Sequence, residues 1–505
     1  MTPEPLAEQS GSRGLQPLRW LAGEPGQREG LIFGLLLALL AALPVMVASY
    51  PQMVDYPAHL ARYHVMLERE SSPWLQHYYG FEWRLMGNLG VDLLIRPLAA
   101  IMPLETAGRL VVGLLPVLCG LGIVAVDWTL HRRVGLASVL AFVFVWSPSM
   151  LLGFLNFVLA LALALFAFAG WVLLEDRRWR VWLYMPVGLI VWLCHVSGWG
   201  VLGLLVFGYE WSRGKSWRAF VAPAPLMLPF FVLAAGATVG GSGGGELVSY
   251  GPAPEVYKWA IWRQSMRATL QWIDYSSVIA IGLVLVASMA FRRFDGRIGW
   301  AAVMMLVGSL VMPRHIFGGD YVDARMISSG LLAGCLALSW RAPRWVLVVA
   351  CSLFAARLGY TTMDWHRDSR ETARHLAALD LVPQGARIAS VVATDRGTWG
   401  FNAQEHICGY AVVRKDALTN CNFVLPGVHM LTLRGASDGF RDPFHRVLRR
   451  NGVPLDLSKY GPAREADWLW YVGNGPPAAL PPGAQVVRRQ RHSLLARLAN
   501  PPRGS

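Results

Sequence analysis

Charge is scarce in this sequence. Asp, Glu, Lys and Arg make up 15% of its 505 residues, where soluble domains carry roughly a quarter. Set beside 54% hydrophobic residues and a mean hydropathy of +0.38, the deficit excludes an ordinary soluble domain and predicts a polytopic membrane protein. Cysteine is scarce too. There are six, none in a CxxC spacing, and no His-rich cluster accompanies them, so a zinc module has no ligand set in this chain. No repeat of roughly 20–50 residues recurs, which argues against a solenoid. Cys119, Cys194, Cys335 and Cys351 lie in apolar runs and read as small buried hydrophobes. Cys408 and Cys421 lie outside those runs and are a disulfide candidate if their region faces an oxidising compartment.

The net charge of +14 does not point to nucleic acid. The basic residues sit largely in short loops between apolar runs, at 131–133, 175–180, 213–218, 291–297 and 341–344, while the turns at 147–149 and 196–198 carry none. That alternation places the basic loops and the N-terminal tail, residues 1–30, on the cytoplasmic side. The expected spans are 31–49, 105–126, 134–147, 150–173, 181–196, 199–211, 219–239, 276–291, 298–312, 326–340 and 344–361. Their odd total, about eleven, sends the C-terminal region to the outer side. Several are shorter than the ~20 residues that cross the hydrocarbon, so they belong among neighbours or beside a water-filled cavity. The expected domains are the tail, a transmembrane domain over 31–361 with a long first outer loop at 50–104, and a small α/β domain over 362–505. In that last region 366–378 reads as a helix and 386–392, 468–472 and 485–489 as strands. Residues 240–245, Gly-Gly-Ser-Gly-Gly-Gly, read as a flexible hinge.

The chemistry concentrates directly after the first span. Asp55, His59 and Arg62 are spaced by four and three residues, which puts them on one face at the water–hydrocarbon boundary if the chain turns helical from Asp55, and an interfacial helix is expected over 57–70. Ionisable groups at that depth are costly and mark functional sites. Asp55 before Tyr56-Pro57 is also a good helix start, a role compatible with general-base chemistry. His59 and Arg62 read either as its structural partners or as substrate and phosphate contacts. Glu82, in an aromatic stretch, and His195, at the end of a short span, are further substrate-binding candidates, each with a plain structural alternative. Arg314, His315 and Arg325 flank a Gly-Gly turn and form a cationic group suited to phosphate, unless Asp323 neutralises Arg325 locally. Arg263 and Arg267, among tryptophans in the loop over 240–276, are rival phosphate or lipid-headgroup contacts.

Two segments carry a resemblance. Asp55-Tyr-Pro-Ala-His-Leu-Ala-Arg62 is similar to the first-loop signature of one bacterial branch of the GT-C superfamily of integral-membrane glycosyltransferases, and Gly318-Gly-Asp-Tyr-Val-Asp-Ala-Arg-Met326 resembles a later outer-loop motif of that branch. Protein mannosyltransferases and aminoarabinose transferases belong to the same superfamily. The architecture over most of the chain resembles it too: a cytoplasmic N-terminus, an acid just after the first helix and an outer C-terminal domain. The resemblance implies an α-helical GT-C-like fold in a bacterial cytoplasmic membrane. It implies transfer of a sugar from a polyprenyl-phosphate carrier to a glycan, lipid or protein acceptor on the outer face, with inversion and with Asp55 as base. Many members carry two adjacent acids at this point, whereas here Tyr56 follows Asp55, and the turn at 147–149 has no acid. The implied mechanism therefore uses a single base, and no cofactor or divalent metal is indicated. The alternatives are a transporter or flippase of lipid-linked saccharides, and a non-enzymatic membrane protein whose C-terminal domain binds envelope components.

Overall fold

The computed structural model describes residues 20–234, 248–316, 319–395, 397–424, 429–434, 438–441 and 446–499. Most of the N-terminal tail, the Gly-rich stretch 240–245 and Gly318 of the second motif lie outside them. The chain begins as a helical bundle, because backbone in hydrocarbon must satisfy its hydrogen bonds within its own segment. The opening helices are α1 (Gln27–Leu40) and α2 (Leu43–Val47). The long loop after them folds as α3 (Tyr56–Glu68), α4 (Pro73–Tyr78), β1 (Tyr79–Phe81) and α5 (Gly90–Ala99). Then come α6 (Leu104–His131), α7 (Leu136–Phe142), α8 (Pro148–Leu152), α9 (Leu155–Leu173), α10 (Arg180–Cys194), α11 (Val196–Gly214), α12 (Arg218–Val221) and α13 (Leu228–Ala234). After β2 (Val248–Ser249) follow α14 (Pro254–Arg263), α15 (Gln271–Ala290), α16 (Gly296–Val311), β3 (His315–Ile316) and α17 (Val322–Leu336).

Among the described residues, five stretches are long and apolar enough to cross a membrane: Gln27–Val47, Leu104–His131, Leu155–Leu173, Gln271–Ala290 and Arg344–Leu381. The eleven expected spans are not confirmed among the described residues. Arg180–Cys194 and Gly296–Val311 are apolar but short. The span expected over 134–147 is broken: α7 stops at Phe142, and α8 is a separate short helix with Pro148 in its first turn. The short helices lie among neighbours, α10 against α9 and α11, and α16 against α11 and α17.

The last bundle helix, α18 (Arg344–Leu376), runs without a break into the C-terminal domain, so the expected boundary at 361 falls inside it. The domain continues with β4 (Arg387–Asp395), α19 (Gly409–Lys415), β5 (Leu418–Thr419), β6 (Leu431–Leu433), α20 (Asp438–Arg441), β7 (Val447–Arg450), β8 (Trp468–Val472), β9 (Gln485–Gln490) and β10 (Ser493–Arg497). The sheet order is β5-β4-β8-β10-β9, with β7 beside the far half of β4. Strands β5, β7 and β8 run parallel to β4, while β10 runs antiparallel to β8 and β9.

The long loop after the first span and this domain form one body. Strand β1 pairs antiparallel with β6, Tyr79 opposite Leu433. Ala61, Val65, Leu75 and Tyr79 share a core with Val391, Leu469 and Tyr471. Arg414 of α19 grips Glu105 at the start of α6 with two bonds, 2.8 and 2.9 Å. Asp416 accepts from Ser72 at 2.8 Å and meets His64 at 2.7 Å. Helices α3 and α19 approach so closely that a Cβ on Gly409 would lie 2.1 Å from the Pro57 carbonyl oxygen. We expect Gly409→Ala to force these helices apart and cost about 1–3 kcal/mol. A lower thermal midpoint in detergent is the expected reading, and an unchanged midpoint contradicts the contact.

Candidate functional site around Asp55

The short helix α8 ends with carbonyls that have no helical partner. The chain leaving α2 supplies the donors: Val54 N–H bonds Leu151 O at 3.2 Å, and Asp55 N–H bonds Leu152 O at 3.0 Å. Gly153 then turns with φ +89°, and a Cβ there would sit 3.2 Å from Asp55 Cβ and 3.2 Å from its nitrogen. Only glycine suits both the left-handed backbone and the approach. Asp55 occupies the N-cap position of α3, yet its carboxylate caps no helix N–H. One turn on, His59 Nε2 lies 3.1 Å from Gly153 O, so this N–H donates to the carbonyl and Nδ1 is left buried without a partner.

The other side of the carboxylate is supplied by the C-terminal domain. His406 Nδ1 lies 2.8 Å from Cys421 O and donates to it. That bond leaves Nε2 as the acceptor, and Nε2 lies 3.7 Å from Asp55 Oδ1. Cys408 and Cys421 are joined by a disulfide that closes the segment carrying this carbonyl. Phe423 packs between His406, His59 and His429, with ring centroids 4.8, 5.7 and 5.6 Å away.

Burial, reinforced by the charge of Glu405, raises the Asp55 carboxyl to about 7 against the pull of Arg446 and Arg325. Its side chain keeps 19% exposure, so water reaches it. Burial holds His59 and His406 well below the usual imidazole range, which keeps both neutral. Burial also raises Glu405, and the guanidinium of Arg446, whose Nε donates to the Glu405 carbonyl at 3.1 Å, works against that rise.

Arg325 completes the group. It is 6% exposed and lies over the rings of Phe154 and Phe157, 4.3 and 5.7 Å from their centroids. Its Nε has no hydrogen-bond partner, and among the described residues it forms no ion pair. Asp323 forms no ion pair with it, since that carboxylate is held by Lys258 at 2.5 Å and by the Tyr257 hydroxyl at 3.1 Å; the charges of Asp320, Asp55 and Asp323 reach the guanidinium only through space.

The remaining candidates fall elsewhere. Arg62 does not serve Asp55; it pairs with buried Asp92 at 2.9 Å, beside Asn156. Arg314 is taken by Asp320 through two 2.9 Å bonds and flanked by the rings of Tyr257 and Tyr321, and neighbouring His315 lies in β3 against β2. Arg267 donates to the carbonyls of Trp399 and Gly400, tying its loop to the C-terminal domain, while Arg263 is exposed at the end of α14. Glu82 is a surface residue, its side chain 71% exposed and paired with Arg84 at 3.2 Å. His195 caps α11, its Nδ1 accepting from Ser197 N–H at 3.0 Å, and its ring meets Phe157 at 5.7 Å.

The structure thus brings together Asp55, His59 and Arg325, and adds Gly153, Glu405, His406, Phe423 and Arg446. No family model, curated protein or solved structure matches the chain. Sequence reasoning misses the added residues because they are remote from Asp55 along the chain. The one local signal is Glu405-His406 standing just before the disulfide candidate Cys408. Among the described residues no three His, Cys, Asp or Glu side chains converge as a metal-ligand set.

A carboxyl raised to about 7 in the folded protein, from roughly 4 in an unfolded chain, keeps its proton longer when folded. Stability therefore falls as pH rises through that window and stays reduced above it. Asparagine cannot ionise. We expect Asp55→Asn to be more stable than the parent at pH 8 by about 1–3 kcal/mol, after allowing for partial exposure, with the gap closing towards pH 4. Parallel thermal midpoints across that range contradict the raised ionisation.

Proposed function

We propose that the chain is a membrane glycosyltransferase that moves a sugar from a polyprenyl-phosphate donor to an acceptor hydroxyl, with Asp55 as general base. The observation that carries this reading is the juxtaposition of a water-accessible carboxyl whose ionisation lies near 7 with a buried, unpaired guanidinium. A base works best when its ionisation lies near the working pH. A buried cation without a carboxylate is costly, and an anionic ligand offsets that cost.

In the proposed step the acceptor O–H gives its proton to the Asp55 carboxylate. The acceptor oxygen bonds to the anomeric carbon from the face opposite the donor phosphate. The carbon–oxygen bond to that phosphate breaks, its electron pair leaves with the polyprenyl phosphate, and the configuration inverts. Arg325 meets the charge that grows on the leaving group, where oriented cations in a low-dielectric site are most effective. His406 Nε2, an acceptor without a partner 3.7 Å from Asp55 Oδ1, would receive the O–H of the protonated carboxyl after a small side-chain movement. The apolar helices long enough to cross a membrane would hold the lipid donor beside this site, and the reading places the site at the outer face of a bacterial cytoplasmic membrane.

The test is Asp55→Asn in cells and in purified protein. Product glycan should be lost and the lipid-linked donor should accumulate, with kcat down by about 10²–10⁴-fold. In the parent protein, kcat/KM should climb with pH and level off above about 7. Normal product from a folded Asp55→Asn protein contradicts the proposal.

A further inference from the structure

A cavity of about 400 Å³ has walls that do not include Asp55. That size falls within the roughly 300–1,000 Å³ usual for small-molecule sites. Its walls are the last turns of α18, the carboxyl ends of the parallel strands β4 and β8, and the segment 398–404. The carboxyl ends of parallel strands are where open α/β sheets leave a crevice for ligands.

The charged side chains of this cavity are largely spoken for. Arg367 pairs with Asp364 at 3.2 Å and Asp368 at 2.9 Å, and Asp395 pairs with Arg450 at 2.5 Å. Glu371 lies 3.6 Å from His375 Nε2. The unmet demand comes instead from neutral polar atoms. His375 Nδ1, Gln404 Oε1 and His492 Nδ1 are buried without partners, and these residues stand on three separate segments of the wall. His375 is only 3% exposed. Its Nε2 faces Glu371 beyond hydrogen-bond distance, and a proton held there beside the carboxylate leaves Nδ1 as an acceptor. Gln404 Nε2 donates to Thr372 Oγ1 at 2.8 Å, which leaves Oε1 as a second acceptor. Phe401 and Trp365 add apolar surface to the same wall.

Buried acceptors call for donors. A phosphomonoester dianion has none to give and an acyl chain has none, whereas each sugar hydroxyl donates one hydrogen bond and accepts others. We propose that this cavity binds a neutral sugar unit and, resting on the transferase reading, that the unit belongs to the acceptor glycan. The placement fits. Gln52 and Leu151 in its wall precede Asp55 and Gly153 by a few residues, and Gln404 stands two before His406, so the cavity and the Asp55 site share the same three chain segments.

The test is saturation-transfer NMR on the full-length protein in nanodiscs, with methyl α-D-mannopyranoside, methyl β-D-glucopyranoside and maltotetraose as probes. At least one probe should give a signal. Gln404→Met and His492→Ala should each weaken it by roughly fivefold or more, and Asp55→Asn should leave it intact. Silence from all three probes on folded protein overturns the proposal, as does a signal equal in both variants. The two readings fail separately. A probe signal without Asp55-dependent transfer leaves the cavity standing and removes the transferase. Asp55-dependent transfer without a signal, and with an unchanged KM in both variants, does the reverse.

Discussion

Two backbone hydrogen bonds, from Val54 to Leu151 and from Asp55 to Leu152, fix the seam from which the rest of the molecule is arranged. They exist because α8 is too short to satisfy its own carbonyls and because Gly153 lets the next segment approach. The strand-like passage they create brings the chain out of α2 and starts α3 with Asp55 turned away from its helix. Helix α19 then packs on α3 at Gly409, and the loop before α19 delivers His406 to the carboxylate. A bundle helix break, a loop and a remote domain are thereby joined at one side chain.

The charges around that seam are not balanced as they are elsewhere. Arg62 has Asp92, Arg314 has Asp320, Arg357 has Asp274 and Arg414 has Glu105. Each is a matched pair that needs no ligand, and those of Arg62 and Arg357 are buried. Arg325 is buried to the same degree as Arg62 and Arg357 but rests on two phenylalanine rings. Beside it Asp55 holds its proton to about pH 7. A cation without an ion-pair partner, within electrostatic reach of a carboxyl poised between its two states, suits a site that receives an anion and takes up a proton. The proposed glycosyl transfer asks for both.

Local periodicity made much of the scaffold legible. A helix expected over 57–70 is found at Tyr56–Glu68, and a strand expected over 468–472 is found at Trp468–Val472. Asp55 was legible as well, because an acid after an apolar run followed by Tyr-Pro stands out in a chain poor in charge. Its partners were not. The pairing of Tyr79 with Leu433, the reach of His406 to Asp55 and the choice of Asp92 by Arg62 depend on contacts between distant segments, which no local spacing encodes. The eleven expected spans are not confirmed for a related reason. Apolar stretches such as those of α7 and α10 are broken or short because neighbouring helices, rather than their own length, satisfy them.

The central claim is that Arg325 is kept without a carboxylate so that it can meet a lipid-borne phosphate beside Asp55. Binding of undecaprenyl phosphate to the full-length protein, compared with Arg325→Gln by native mass spectrometry, tests it most directly. The account predicts a saturable complex that weakens by roughly tenfold or more when the guanidinium is removed. Equal occupancy of the two proteins, with the variant folded, contradicts it.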